Sequence, residues 1–302
     1  MKFTIFSDLH HYPGYFMRGT FEDLDTILAA SVREKVDFII HAGDLTHGPS
    51  NHKALVEKYN QCPIPTYNCL GNHDTDHTPL AETLALYHME NNYYFFDFDG
   101  YRIIVMDPNY CKLGDDYVHF DLGNYYQTPD ARDWVPPEQL EWLKETIDTA
   151  PGPCIVISHE SFEREADGVR NQAEVRRIFN EANAKKPHSV LMVLNGHHHR
   201  DFVRILDGIL YMEVNSANYD WVANAHTCYP EELMKQHKLL PHCVSFTAPV
   251  YGIMTVEGTS ITCKGVSSEL FMGVKREDTG NDKCDDAGRI VTPTVQSFRI
   301  TL

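Results

Sequence analysis

The sequence contains no run approaching the roughly 18 consecutive apolar residues that a membrane-spanning helix requires. It also lacks any Cys-x-x-Cys pair: its eight cysteines, Cys62, Cys69, Cys111, Cys154, Cys228, Cys243, Cys263 and Cys284, fall at irregular spacings. In a chain of 302 residues this pattern excludes a disulfide scaffold and a zinc knuckle. Reduced thiols are expected, with Cys69 and Cys154 serving as small core residues. Positive charge is scarce as well. With 26 Lys and Arg against 43 Asp and Glu, the formal net charge is −17. That balance disfavours duplex nucleic acid and anionic membrane surfaces, both of which need Lys and Arg to neutralise phosphates. A small phosphate substrate stays open, because bound cations can dominate the field of a site. There is no internal repeat and no low-complexity linker. The N-terminal segment from Met1 to Ser7 carries one basic residue, has too short an apolar run for a signal peptide, and leads directly into Asp8, so a cytoplasmic location is expected.

What is present describes an ordinary globular chain, 42% hydrophobic and 23% charged. Strand-like apolar runs occur at 2–6, 36–41, 66–70, 94–98, 101–106, 153–158, 188–194, 201–206 and 209–214. Helical periodicity occupies 22–35, 51–60, 79–90, 137–149 and 170–184, with Pro136-Pro137-Glu138 as a helix start. This alternation predicts βαβ units and an α/β class. Runs 94–98 and 101–106, joined through Asp99-Gly100, predict a hairpin with a type I′ turn, so the sheets are mixed. Residues 107–136, rich in Tyr, and 272–289, charged and Gly-rich, resist regular assignment. Beyond 215 the pattern turns to short β-like runs at 244–256, 259–264 and 294–301. The expected organisation is one domain over 1–302, with a motif-bearing core at 1–215 and a C-terminal elaboration at 216–302.

Five short segments then stand out, each after a buried-strand pattern: Asp8-Leu9-His10, Gly43-Asp44, Gly71-Asn72-His73-Asp74, His159, and Gly196-His197-His198-His199. Asp8 and His10, like His197 and His199, are two apart and share one face if the backbone is extended. Gly43, Gly71 and Gly196 are read as permitting tight turns just before the ligands. Asp, Asn and His suit a pair of hard-to-borderline metal ions, and Asp44 is the natural carboxylate bridge between them. Taken singly, Asp-x-His is close to noise and Gly-Asp marks turns everywhere. Together, in order and each at a strand's carboxyl end, the segments describe one site in the crevice where α/β sheets bind ligands.

The set D-x-H, G-D, G-N-H-D, H and G-H-x-H resembles the calcineurin-like metallophosphoesterase superfamily, and within it the bacterial cyclic-nucleotide and glycerophosphodiester phosphodiesterases. Gly43-Asp44-Leu45-Thr46-His47-Gly48 lacks the G-D-x-V-D-R-G run of Ser/Thr protein phosphatases, which makes a phosphoprotein an unexpected substrate. The resemblance implies a four-layer α/β/β/α sandwich of two mixed sheets flanked by helices. It implies Asp8, His10, Asp44 and His199 around one metal, Asp44, Asn72, His159 and His197 around the other, and His73 as the non-ligand proton donor. The cofactors implied are two divalent or trivalent ions (Mn, Fe or Zn). The activity implied is phosphohydrolysis, with diesters favoured, by in-line attack of a metal-activated hydroxide. Asp74 is expected either to orient His73 as part of the catalytic group or to cap the turn. Of the neighbouring histidines, His11, His41 and His198 are expected to pack or face solvent, while His47 and His77 join Asn72 and His73 as candidate substrate contacts. The aromatics of 107–136 and Asn215–Trp221 supply either a stacking surface or a cover for the core. The alternatives are a catalytically inactive scaffold of the same fold, a phosphomonoesterase, and a nuclease. Competent residues at every ligand position argue against the first and the acidic charge against the last. The expected partner is a small phosphate ester, with no membrane, and a homo-oligomer is possible by analogy with family relatives.

Overall fold

The computed structural model describes residues 1–13, 19–165, 167–222, 225–279 and 291–302. Cys284 and the 280–289 part of the Gly-rich stretch lie outside the described residues. The strands are β1 (Lys2–Phe6), β2 (Phe38–His41), β3 (Thr66–Asn68), β4 (Tyr94–Phe98), β5 (Tyr101–Val105), β6 (Tyr110–Leu113), β7 (Asp116–His119), β8 (Cys154–Ile157), β9 (Val190–Asn195), β10 (Phe202–Leu206), β11 (Ile209–Glu213), β12 (Tyr219–Trp221), β13 (Cys243–Ser245), β14 (Gly252–Glu257), β15 (Ser260–Gly265) and β16 (Phe298–Thr301). The helices are α1 (Thr20–Glu34), α2 (Lys53–Asn60), α3 (Leu80–Leu86), α4 (Pro137–Asp148), α5 (Gln172–Lys185) and α6 (Glu231–Gln236). No described helix is long and apolar enough to cross a membrane.

Two six-stranded sheets form, in the orders β16-β15-β14-β1-β2-β3 and β10-β11-β9-β8-β5-β4. In the first, β1, β2 and β3 run parallel, while β14 pairs antiparallel with β1. In the second, β5, β8, β9 and β11 are parallel and the outer strands β4 and β10 antiparallel. The central strands are buried on both faces, which is why FIIH, CIVI and VLMVLN read as continuous apolar runs and not as alternations. Phe3, Ile5 and Phe38 from one sheet meet Ile103, Ile155 and Leu194 from the other in the central layer. Leu24 and Ile27 of α1 and Leu55 and Tyr59 of α2 cover the outside of the first sheet. Leu143 of α4 and Val175, Ile178 and Phe179 of α5 cover the second. The result is the four-layer α/β/β/α sandwich, with two mixed sheets.

Asp99 and Gly100 both have positive φ, 50° and 79°, as a type I′ hairpin between β4 and β5 demands. Two expectations need correction. The segment beyond 215 is not an appendage: β14, β15 and β16 make up half of the first sheet. Nor is 107–136 irregular throughout, because β6 and β7 pair as a hairpin and Asn124–Gln127 forms a 3-10 turn. Short polar strands with exposed faces carried too weak a pattern to be read from sequence.

A buried ion pair anchors that insertion. His119 Nε2 lies 2.6 Å from Asp107 Oδ2, and its Nδ1 faces the Phe120 carbonyl. With an acceptor at each ring nitrogen, His119 is an imidazolium. Burial opposes the charge, but Asp107 outweighs it and raises the His119 pKa. Asp107 is fully buried and also receives Asn92 Nδ2 and Asn109 Nδ2. Replacing His119 by Asn leaves that carboxylate uncompensated and is expected to cost roughly 3–5 kcal/mol in urea unfolding at pH 6. A raised histidine pKa contributes stability that is complete below the unfolded value and is lost as pH climbs through the folded one. The gap between wild type and H119N should therefore shrink when the titration is repeated at pH 9.

Candidate metal centre

Each sequence-marked segment begins within a few residues of a strand's carboxyl end: Asp8 after β1, Asp44 after β2, Asn72 after β3, His159 after β8 and His197 after β9. Two sheets thus feed one crevice. The backbone there is not extended, as the two-residue spacing suggested. Asp8, His10, Asp44, His197 and His199 all have positive φ, between 47° and 71°, the left-handed region that non-glycine residues rarely enter. Each such residue costs of order 1 kcal/mol, so the surrounding fold imposes these conformations. Gly43 takes φ 94°, where a side chain would also strike the His159 ring. Gly71 and Gly196 serve by absence of bulk: a Cβ at either would collide with the Asp44 or Asp8 carboxylate.

The seven expected ligand residues converge. His10 Nε2 lies 3.2 Å from His199 Nε2 and 3.5 Å from Asp8 Oδ1, and His199 Nε2 lies 3.2 Å from Asp8 Oδ1. On the other side His159 Nε2 is 3.0 Å from Asp44 Oδ2, and His197 Nδ1 is 3.0 Å from Asn72 Oδ1. Asp44 joins the halves, its Oδ2 also lying 3.6 Å from His10 Nε2. Asp8, His10, Asp44, His159 and His199 are at most 2% exposed.

The donor chemistry of this cluster suits cations. His159 Nδ1 sits 2.6 Å from the Ala42 carbonyl and His199 Nδ1 3.2 Å from the Tyr219 carbonyl. A carbonyl only accepts, so each Nδ1 carries the proton, and a neutral ring turns its Nε2 lone pair towards carboxylate oxygens. Asp8 Oδ1 and His159 Nε2 are buried without a hydrogen-bond partner. Lone pairs facing carboxylates repel unless a positive charge lies between them. Burial opposes protonation of His159, but Asp44 and Asp8 raise its pKa well above the ordinary value, a demand for positive charge that a metal ion meets directly. Burial holds His10 down to about 4 and His197 to about 3, keeping both in the neutral form that ligates. The residues present therefore fit a pair of divalent or trivalent ions. Glu160, absent from the sequence reading, is fully buried with neither carboxyl oxygen bonded, and groups with His159 and His197.

A cleft of about 240 Å³ opens over the cluster, lined by His10, Asp44, Asn72, His73, His197 and His199, with Tyr125, Tyr126, Arg132 and Trp221 at its walls. His73 reaches it from the 3-10 turn Asn72–Thr75, where its own N–H donates to Asp44 Oδ1 at 2.8 Å. Asp74 does not touch the His73 ring. Its carboxylate accepts from the backbone N–H of Gly71 (2.9 Å), Asp44 (2.9 Å) and Thr46 (3.1 Å) and from the Tyr87 hydroxyl, which makes it a cap for two ligand-bearing turns. Asp76 is the group beside the ring, its Oδ2 2.7 Å from His73 Nδ1. The signal was its i+3 spacing, since a 3-10 turn brings such residues onto one side.

His47 and His77, expected at the substrate pocket, do not line it. His47 lies behind His10, with Nε2 2.8 Å from His10 Nδ1, and His77 is exposed next to Tyr12. His41 is buried against Asn68, His11 against Thr20, and His198 reaches the Asp167 carbonyl. Arg132 carried no motif and was invisible until the 107–136 insertion folded over the crevice.

A family model described as calcineurin-like phosphoesterase matches residues 1–201, the stretch that holds all five segments. No curated protein matches the sequence. The fold is similar to a crystal structure of a dimetal phosphatase from Danio rerio, at TM-score 0.64 and 12% identity, covering 99% of this chain and 98% of that one. It is also similar to the anchor in the inner membrane complex of Plasmodium, at TM-score 0.55 and 13% identity, covering 100% of this chain and 88% of that one.

Adding Mn²⁺ to chelator-stripped protein should raise its melting temperature, with about 2.7 kcal/mol of stabilisation at a hundredfold excess over Kd. Asp44→Ala removes the group common to both halves, so elemental analysis should find metal lost from both positions and the thermal shift should vanish. An Asp44→Ala protein that kept two ions would contradict the bridging geometry.

Proposed function

Because the chain belongs to the calcineurin-like phosphoesterase family, we propose that it is a dinuclear metal-dependent phosphohydrolase whose preferred substrate is a small phosphodiester. The observation that carries this reading is the placing of Asp44 between two groups of buried His, Asp and Asn donors, with His73 beside them on the cleft. Asp8, His10, Asp44 and His199 would hold one ion, and Asp44, Asn72, His159 and His197 the other. Bound there, Mn, Fe or Zn ions would supply Lewis acidity and a source of hydroxide near neutral pH.

The chain's own residues do the rest. The Ala42 and Tyr219 carbonyls fix the His159 and His199 tautomers. Asp74 holds the Asp44 and Asn72 turns in register. His73 has Nδ1 engaged by Asp76, so Nε2 is the nitrogen left to protonate the leaving oxygen. Burial disfavours its charged form, but Asp44 and Asp76 overcome this and raise its pKa, keeping a proton available near neutrality. The walls of Tyr126 and Trp221 offer flat apolar surface to an ester's organic group.

Arg132 supports a second reading. A guanidinium lining the cleft favours the extra negative charge of a phosphomonoester dianion. Metal-loaded protein assayed with bis-p-nitrophenyl phosphate and with p-nitrophenyl phosphate separates the two. Turnover of the diester in preference is expected; turnover of neither overturns the hydrolase reading. His73→Ala should lower kcat by roughly 10²–10⁴-fold with metal content unchanged. Parallel loss of metal would deny His73 its separate role.

A further inference from the structure

Four donors surround the carboxylate of Asp76, a residue only 7% exposed. Oδ2 lies 2.7 Å from His73 Nδ1, 3.0 Å from the Tyr126 hydroxyl and 3.5 Å from His47 Nδ1, while Oδ1 accepts from the Tyr125 hydroxyl at 2.9 Å. Both tyrosines come from the 3-10 turn Asn124–Gln127. Tyr125 is buried, stacked on Phe120 with centroids 4.5 Å apart, and Tyr126 stacks on Tyr125 at 4.3 Å. On its other side the His73 ring stacks against His47, with centroids 4.4 Å apart and planes inclined by 26°.

These contacts remove the two freedoms an imidazole has. Stacking on His47 sets the plane of the ring, and the bond from Nδ1 to Asp76 sets its rotation within that plane. Asp76 is held in turn by phenols from a segment more than forty residues away in sequence. Asp76, His47 and His73 group closely enough to hold a cation of their own, but the hydroxyls of Tyr125 and Tyr126 and His73 Nδ1 already engage the Asp76 carboxylate, and neither Asp76 nor Tyr126 is among the seven residues around Asp44. The one evident outcome of this arrangement is a fixed direction for His73 Nε2.

We propose that Asp76, clamped by Tyr125 and Tyr126, is the positioning residue for His73, holding Nε2 at the oxygen of the leaving group; this rests on the phosphohydrolase reading above. When the ester P–O bond breaks, its electron pair stays on that oxygen, which takes the Nε2 proton. A water oxygen forms the new bond to phosphorus and releases its proton to solvent, from which His73 is reprotonated. Through all of this Nδ1–H stays on Asp76. Unclamped, the ring samples other rotations and the proton arrives from a poor angle.

The test uses two diesters that differ only in how much the departing oxygen needs a proton: methyl p-nitrophenyl phosphate and methyl phenyl phosphate. Nitrophenolate leaves unaided, and phenolate much less so. Asp76→Asn should lower kcat on the phenyl ester roughly ten- to a hundredfold more than on the nitrophenyl ester, part of the 10²–10⁴-fold that proton donation supplies. KM and metal content should stay at wild-type values. Tyr126→Phe, which removes the hydroxyl of a residue 58% exposed, should shift the same ratio severalfold in the same direction, and it decides the matter if Asp76→Asn does not fold. Equal losses on the two esters, or losses that follow KM or metal content, overturn the proposal and leave Asp76 a structural residue. Wild-type inactivity on both esters overturns the phosphohydrolase reading and this inference with it.

Discussion

The structure depends on a demand for positive charge between buried carboxylates and histidines. Asp8 and Asp44 are buried side by side with histidines whose outer nitrogens are already committed to carbonyls, so lone pairs point inward at carboxylates. Burying charge in this way costs several kcal/mol per group unless a counter-charge is supplied. Five left-handed backbone residues add to the cost. The energy to hold them comes from the apolar layer between the sheets, where Phe3, Ile5, Ile155 and Leu194 are fully buried within a few residues of Asp8, His159 and His197. A strained site that draws positive charge between its carboxylates is preorganised for cations.

Preorganisation extends outward in shells. Asp74 saturates the backbone donors of the Asp44 and Gly71 turns, so that neither ligand turn can relax. The 107–136 insertion is anchored to the same framework by the His119–Asp107 pair and delivers Tyr125, Tyr126 and Arg132 to the cleft. The clustered Asp, Asn and His residues and the 107–136 segment both lie in the stretch that the family model matches, whereas Trp221 at the cleft wall lies beyond it.

The legible part of the sequence was the part governed by strong local rules. Continuous apolar runs marked β2, β8 and β9 because strands covered on both faces tolerate nothing else. Asp99-Gly100 marked a hairpin because few dipeptides accept two positive φ values. The clustered residues were legible as a set because five segments in order are improbable by chance. What stayed hidden depended on distant partners. Asp76 looked like one more acidic residue until the turn placed it under His73. His47 looked like a pocket residue until its ring was seen wedged behind His10. The left-handed backbone at Asp8 and His10 could not be read at all, because it is imposed by hydrogen bonds to the Asp44 turn, where Asp8 N donates to the Gly43 carbonyl and His10 N to that of Asp44.

The pairing of β1 with β14 has a bearing on how the molecule is born. β1 is made long before its partner, because the register Lys2 to Thr255 and Ile5 to Gly252 joins it to a strand synthesised some 250 residues later. Until then one flank of β1 is an open edge, ready to pair with any passing strand. At ordinary translation speeds of about 5–20 residues per second, that exposure lasts on the order of ten seconds or more. For that interval the nascent chain carries an unpaired parallel-sheet edge, which favours folding in which β14 joins the sheet late.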